Sequence, residues 1–525
     1  MAKLNIPRKL ISEDSHIKSP QISGFGKRIH RSFKKYRIVS GYVCEYEETE
    51  EICSSAAMPF RSKKKKKKST EKNCSAVAPP SLRSKEKKAF KKKPLIHTHE
   101  GAEACKISPE QQLRRSVMSC LLWENEFYEE GEAIADRIAS LIPRVEPRKV
   151  SGIAAEARTK MKLRHIPLFL SREMARHPSH KKLVAETLKS VIQRPDELTE
   201  FLAIYWKDRK ESLSAQVKKG LAGAFPKFDE YQLAKYNRNG RIRLRDVLFL
   251  CHAKPGNKEQ DALWKHLIND ELAVPDTWEV ALSGNNGISK KEKWERLLKE
   301  KRLGAMALLR NLRNMKKADA DESLIIQALQ DIKPTRVLPF RFIAAARYAP
   351  QWEPYLEEGM MKCLSAQKKL PGKTILLVDV SGSMNCQLSS RSDMLRIDAA
   401  CGLAILVREI CEQVEIFSFS NSVVQIPPRR GFALRDAVVS SQPMCGTYLG
   451  KAVSEVEDRV RGFNRLIVLT DEQSHDPVPA PRTRKSYLIN LASYRNGVGY
   501  GAWTHIDGWS EAVIDYIRET EKSKI

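Results

Sequence analysis

The chain of 525 residues carries 92 Lys+Arg against 64 Asp+Glu, a formal net charge of +28, and 42% of it is hydrophobic. That content suffices for large cores in two to four domains, and no apolar run of about 18 residues exists to span a bilayer, so a soluble protein without a membrane role is expected. Its 11 cysteines lie far apart without a CxxC pair, and no charged stretch followed by an apolar one opens the chain. Neither a structural zinc site nor secretion is indicated, and a reducing, cytoplasmic setting is the expectation.

Residues 1–105 read as a basic tail. The first hundred hold 25 Lys+Arg against 10 Asp+Glu, with an unbroken lysine run at Lys63–Lys68, a second cluster at Lys85–Lys93 and Pro79-Pro80 between them. Such composition without sustained periodicity predicts a largely disordered segment. It could bind nucleic acid nonspecifically, act as an address or an anionic-membrane patch, or simply be solvated.

Residues 106–368 change texture to amphipathic helices joined by short Pro or Gly breaks. Leu198, Phe201, Leu202, Tyr205 and Trp206 fall at i, i+3, i+4, i+7 and i+8. Val184, Leu188, Val191 and Ile192 give the preceding helix nearly the same face, and Arg194-Pro195-Asp196 connects them, so the two are expected to pack as an antiparallel hairpin. Several such pairs predict an irregular HEAT-like solenoid. Its charge is concentrated: Lys218, Lys219, Lys227, Lys235, Arg238, Arg241, Arg243 and Arg245 lie within 28 residues, with Tyr231 and Tyr236 between them. Cations for phosphates and rings for unpaired bases are the usual means of holding single-stranded RNA. Arg310, Arg313 and Lys317 share one face of a later helix.

Residues 369–525 form the last region, and within them 371–525 are electrically neutral, with 18 Lys+Arg against 18 Asp+Glu. They alternate strand-like and helical stretches: strands at 374–378, 414–418, 465–471 and 486–491, and helices at 396–413, 448–460 and 508–521. This order predicts an α/β doubly wound, Rossmann-like parallel sheet covered on both faces. The β-branched run Thr374–Val378 ends in Asp379-Val380-Ser381-Gly382-Ser383, and Arg465–Thr470 ends in Asp471. Carboxylates at strand ends lie where open α/β sheets bind ligands. Asp379, Ser381, Ser383, Thr447 and Asp471 offer oxygens only, as a hard cation requires. Mg2+ is the first expectation, with Mn2+ or Ca2+ also compatible. The pattern Asp-x-Ser-x-Ser with a distant Thr and Asp resembles the metal-ion-dependent adhesion site of von Willebrand factor A domains. A catalytic role is not expected, because His475 near Asp471 has no evident companion to act as general base.

Taken together, Lys235-Tyr236, the segment Leu248-Phe249-Leu250-Cys251-His252-Ala253-Lys254-Pro255, Ala307–Leu312 with Arg310, and the following metal-site domain resemble the TROVE module of Ro autoantigen proteins. The resemblance implies a HEAT-like ring closed by the von Willebrand A domain. It also implies binding of small noncoding, Y-like RNA on the basic outer surface and of single-stranded ends of misfolded RNA through the ring, in RNA quality control. Lys235 and His252 match positions where that family contacts RNA, and Tyr236, Arg238, Arg241, Arg243, Arg245, Lys254 and Arg310 complete the candidate surface. The chain departs from the family at Asn239, where Arg is usual, and at Arg241–Arg245, where many relatives have a Gly-Trp-Ser-His stretch. An open metal position would accept a carboxylate from a partner such as an RNA-processing protein or exonuclease. A self-closed ring needs no oligomer, so a monomer is expected. The alternative is a metal-dependent adhesion or assembly adaptor with the helices as scaffold.

Overall fold

The computed structural model describes residues 29–39, 42–52 and 96–522, except 119–129, 274–276, 284–286, 334–336, 390–391 and 511–512. Both lysine clusters of the tail lie outside these residues. Residues 1–90 form one unit and 91–525 a second. In the first, β1 (Ile29–Val39) pairs antiparallel with β2 (Tyr42–Ile52), an element the composition of the tail did not announce. The register sets Arg31 opposite Glu50 and Lys34 opposite Glu47 along the backbone.

The second unit opens with residues 96–105. They were assigned to the tail, yet Thr98, Ala102 and Ala104 are buried. The Thr98 hydroxyl donates to the Ser474 carbonyl at 2.9 Å, and the Cys105 amide donates to Gly497 at 3.0 Å. The first helices are α1 (Pro109–Met118), α2 (Gly131–Leu141), α3 (Pro147–Thr159), α4 (His165–Arg176), α5 (Val184–Val191), α6 (Asp196–Tyr205), α7 (Ala215–Ala224), α8 (Glu230–Tyr236), α9 (Leu244–Cys251) and α10 (Lys258–Asn269). After them come α11 (Trp278–Ser283), α12 (Lys290–Lys299), α13 (Ala305–Lys317), α14 (Glu322–Gln330), α15 (Pro339–Tyr348) and α16 (Glu353–Ser365).

These helices stack in two layers. α3, α5, α7 and α9 follow one another in one layer and α4 and α6 in the other, while α12, α14 and α16 run beside α13 and α15. The expected hairpin of α5 with α6 is therefore corrected: α5 packs chiefly on α3 and α7, and α6 on α4 and α9. Apolar faces meet both along a layer, as α5 on α7, and between layers, as α3 on α4 and α6 on α9, which is how a HEAT-like solenoid buries its core. One apolar core runs from Leu113 in α1 to Leu267 in α10, and another begins at Trp294 in α12.

The remaining elements are β3 (Leu370–Asp379), β4 (Gln387–Ser389), β5 (Ser392–Leu395), α17 (Arg396–Ile410), β6 (Cys411–Phe419), β7 (Val423–Gln425), α18 (Gly431–Val439), α19 (Leu449–Arg459), β8 (Arg465–Thr470), β9 (Ser486–Asn490), β10 (Thr504–Asp507) and α20 (Val513–Lys522). The main sheet has the order β10-β9-β8-β3-β6-β7, parallel except for β7 at its edge. Successive side chains of β3 alternate between faces: Ile375 and Leu377 join the core with α19, while Leu376 and Val378 join the core with α17 and α20. Both faces are thus covered, as the strand and helix alternation predicts.

The core that begins in α12 continues without interruption into α17, α18 and the sheet. Phe340 of α15 meets Trp509 edge to face with ring centroids 4.2 Å apart, and Gly402 of α17 lies against the Phe340 backbone. At the opposite end, α1 packs on β10. The helical run therefore begins and ends on the same α/β sheet, closing the solenoid into a ring.

Candidate functional site

The five predicted metal ligands sit on three loops at the carboxyl ends of the central strands. Asp379, the last residue of β3, turns the chain by accepting the Ser381 amide on Oδ1 at 2.8 Å, and its Oδ2 accepts the Thr470 hydroxyl at 2.6 Å. The Ser381 and Ser383 hydroxyls are 3.2 Å apart. The loop bearing Thr447 is tied to the first because the Gly382 amide donates to the Cys445 carbonyl at 2.9 Å. It is tied to the third because the His475 amide donates to the Thr447 carbonyl at 2.8 Å and Thr447 N lies 3.1 Å from His475 Nδ1. Asp379, Ser381, Thr447 and Asp471 are buried and Ser383 is half-buried.

Burial pushes the Asp379 carboxyl up, and the neighbouring Asp471 adds to this, to about 7. Two enclosed carboxylates resist joint ionisation without a cation between them. Among the described residues no three His, Cys, Asp or Glu side chains gather as ligands, so hydroxyls must complete any shell here. That donor set fits a hard divalent cation and fits zinc poorly. Two features were not legible as part of the site. Thr470 braces Asp379, and Arg396, the first residue of α17 and only 1% exposed, points Nη1 at Asp471 Oδ2 from 3.3 Å.

Beside the metal loop lies a buried charge cluster that no sequence pattern announced. Glu472, at φ +64°, accepts from Arg115 of α1 at 2.7 Å. His505 pairs with Glu472 and stands 3.3 Å from Asp507, while Tyr500 donates to Asp507 at 2.6 Å and stacks on the imidazole. Burial alone would push His505 down, but the Asp507 and Glu472 carboxylates outweigh it and hold the ring up at about 9. Asp507 is held well below the usual carboxylate range against its own burial, chiefly by His505. The only hint in the sequence was a second acid directly after Asp471.

On the helical surface the predicted RNA residues divide. Arg238, Arg241, His252, Lys254 and Arg310 are exposed. Arg243 and Arg245 both pair with Asp270, at 3.0 and 2.9 Å, and Lys235 lies 3.5 Å from Glu279. Arg194 covers one face of Tyr236, its guanidinium 4.6 Å from the ring centroid. The charge density of this region was readable from sequence, whereas its internal pairing depends on the tertiary fold.

Phe249 and Leu250 are the unexpected members of this surface, 56% and 38% exposed. The buried stripe of α9 runs Leu244, Val247, Leu248, Cys251, at i, i+3, i+4 and i+7, and leaves both off it, a signal that periodicity carried. At the end of α9, His252 adopts a left-handed conformation and its ring lies 3.4 Å from Lys218 Nζ. Tyr231 is 52% exposed, with Lys235 Nζ 6.0 Å from its ring centroid.

A helical ring closed on a doubly wound domain with a candidate metal centre is the architecture of a known class. The family model described as the TROVE domain matches residues 269–371, from the end of α10 to the start of β3. The crystal structure of the Ro (RSR) protein of Deinococcus radiodurans is similar, with a TM-score of 0.53 at 16% identity, covering 80% of this chain and 100% of that one. No curated protein matches the sequence. Residues 269–371 thus resemble the TROVE domain, and the fold of the chain is that of the Ro (RSR) structure. The exposed basic segment around α8 and α9 precedes the matched residues, whereas Arg310 lies inside them. Among the described residues no helix is long and apolar enough to cross a membrane.

Proposed function

We propose that the protein is an RNA-binding scaffold that captures small structured noncoding RNA and single-stranded RNA ends, and that its metal centre docks a protein partner. The observation that carries the reading is the exposed surface at α8 and α9, where Arg238, Arg241, His252 and Lys254 accompany the exposed rings of Phe249 and Tyr231. Cations hold phosphates wherever they fall, and an exposed ring is worth about 1–3 kcal/mol when an unpaired base stacks on it.

A divalent cation held by Asp379, Ser381, Ser383, Thr447 and Asp471 would supply an open coordination position for a partner's Asp or Glu. The chain's own residues form the rim: Tyr448 is 38% exposed and stacks on His475, centroids 5.2 Å apart. His475 is engaged with Thr447 and lies 3.2 Å from Glu100, which leaves it poorly placed as a general base and favours a binding role over hydrolysis.

The test is to recover the protein from its native cells without nuclease and sequence the RNA retained through moderate salt, beside Arg238→Glu/Arg241→Glu/Lys254→Glu and Phe249→Ala. The charge variant should lose discrete small RNAs, and Phe249→Ala should weaken single-stranded RNA while sparing duplex. Chelation should release a bound protein and leave RNA in place. Salt-labile bulk RNA, equal in all three proteins, would remove the RNA reading and leave the metal-dependent adaptor.

A further inference from the structure

The metal centre holds one more charge than its five oxygen-bearing residues account for. Asp379 and Asp471 contribute two buried carboxylates, and Arg396 places a guanidinium against one of them. Its backbone is fixed by an amide bond to the Cys386 carbonyl at 2.9 Å, at the end of the loop that carries Ser381 and Ser383. In the first turns of α17, Ile397, Ala399, Ala400, Cys401 and Leu403 join the apolar core, while Asp398 caps the helix by accepting the Leu395 amide at 2.7 Å and is paired with Arg347. A cation at a helix N-terminus opposes the helix dipole, so neither helix formation nor core packing explains an arginine here.

We infer that Arg396 is a tethered counter-ion that makes metal uptake at this centre depend on an incoming carboxylate. The inference rests on the metal-binding reading above and is a matter of formal charge. Two carboxylates and one guanidinium leave the enclosed site at −1, and a divalent cation carries it to +1. A buried net charge is costly unless paired, and the carboxylate of a partner returns the sum to zero. Without Arg396 the two carboxylates and the cation would already balance. The arginine thus disfavours a site loaded with metal alone and favours metal and acidic partner arriving together. It also holds Asp471 when neither is present.

The full-length protein and its Arg396→Met and Arg396→Gln variants are titrated with Mn2+ by calorimetry, in chloride and again with added acetate as the carboxylate probe. Circular dichroism establishes that each variant is folded, and Arg396→Lys retains the charge should both neutral variants fail. In chloride the neutral variants should bind Mn2+ on the order of tenfold or more tightly than wild type, since one unit charge at this range is removed. Acetate should tighten wild type and Arg396→Lys while leaving the neutral variants nearly unchanged. Equal or weaker Mn2+ binding by the neutral variants, or an acetate effect common to all proteins, overturns the role of Arg396 alone. Mn2+ uptake by none of them, with or without acetate, overturns the metal reading beneath it.

Discussion

The two ends of the helical run meet the α/β sheet in opposite ways. At α15 the joint is apolar: Phe340 against Trp509 and Gly402, inside one core shared by helices and sheet. At α1 it is ionic, Arg115 among Glu472, His505, Asp507 and Tyr500, supplemented by Arg137 of α2 donating to the Ser493 carbonyl at 2.8 Å. Apolar contact is non-directional and tolerant, while a buried ion cluster holds only in one geometry and weakens when any partner changes charge. One joint makes α12–α16 an extension of the sheet domain. The other is expected to loosen first when one of its charges is removed.

The sharpest way to break this contrast is Arg115→Ala. It leaves the two carboxylates Glu472 and Asp507 with His505 in place of a full pair of cations, and truncating one member of a buried ionic cluster costs about 3–5 kcal/mol. Hydrogen exchange should show α1, α2 and residues 96–105 losing protection while α15–α17 keep theirs, and uniform loss across both joints would refute a separable latch. Next in size is Gly402→Val at the apolar joint, where a Cβ would lie 3.3 Å from the Phe340 backbone. Overpacking of this kind costs about 1–3 kcal/mol. Here α15 and the sheet core should loosen together in a single transition, and a melt in two steps would count against one continuous core.

The smallest effect is pH-dependent. His505 is raised to about 9 from an ordinary value of about 6.5, so its stabilisation is fully present below about pH 6.5 and is lost as the pH rises through about 9. Melting temperature should fall across that window in wild type. His505→Gln should start lower and slope less, and parallel curves for the two proteins would show that the imidazole charge contributes nothing to the latch.

The sequence disclosed the metal centre far better than the latch, and the difference is one of locality. Asp379, Ser381 and Ser383 lie within five residues at the end of an apolar run, and Asp471 ends a second such run, so strand geometry alone converges them. Arg115 and Glu472 lie 357 residues apart, and nothing near either one marks it for a buried partner. The helical layers show the same limit. The apolar stripes of α5 and α6 were plain, but a stripe does not say which neighbour it will face, and neither chose the other: α5 packs chiefly on α7 and α3, α6 on α4 and α9. On the basic surface, charge was visible while occupancy was not, since Asp270 lies 25 residues from Arg245 and Glu279 lies 44 from Lys235.

Strand β8 and the residues after it leave the ribosome long after α1, and this gives the latch a history. Glu472 is made 357 residues after Arg115, an interval of roughly 20 to 70 s at synthesis rates of about 5–20 residues per second. Throughout it the nascent α1–α10 arc has its own core to fold around but no partner for its guanidinium. Encirclement therefore waits out that interval, and anything the ring is to enclose as it forms has the same time in which to enter.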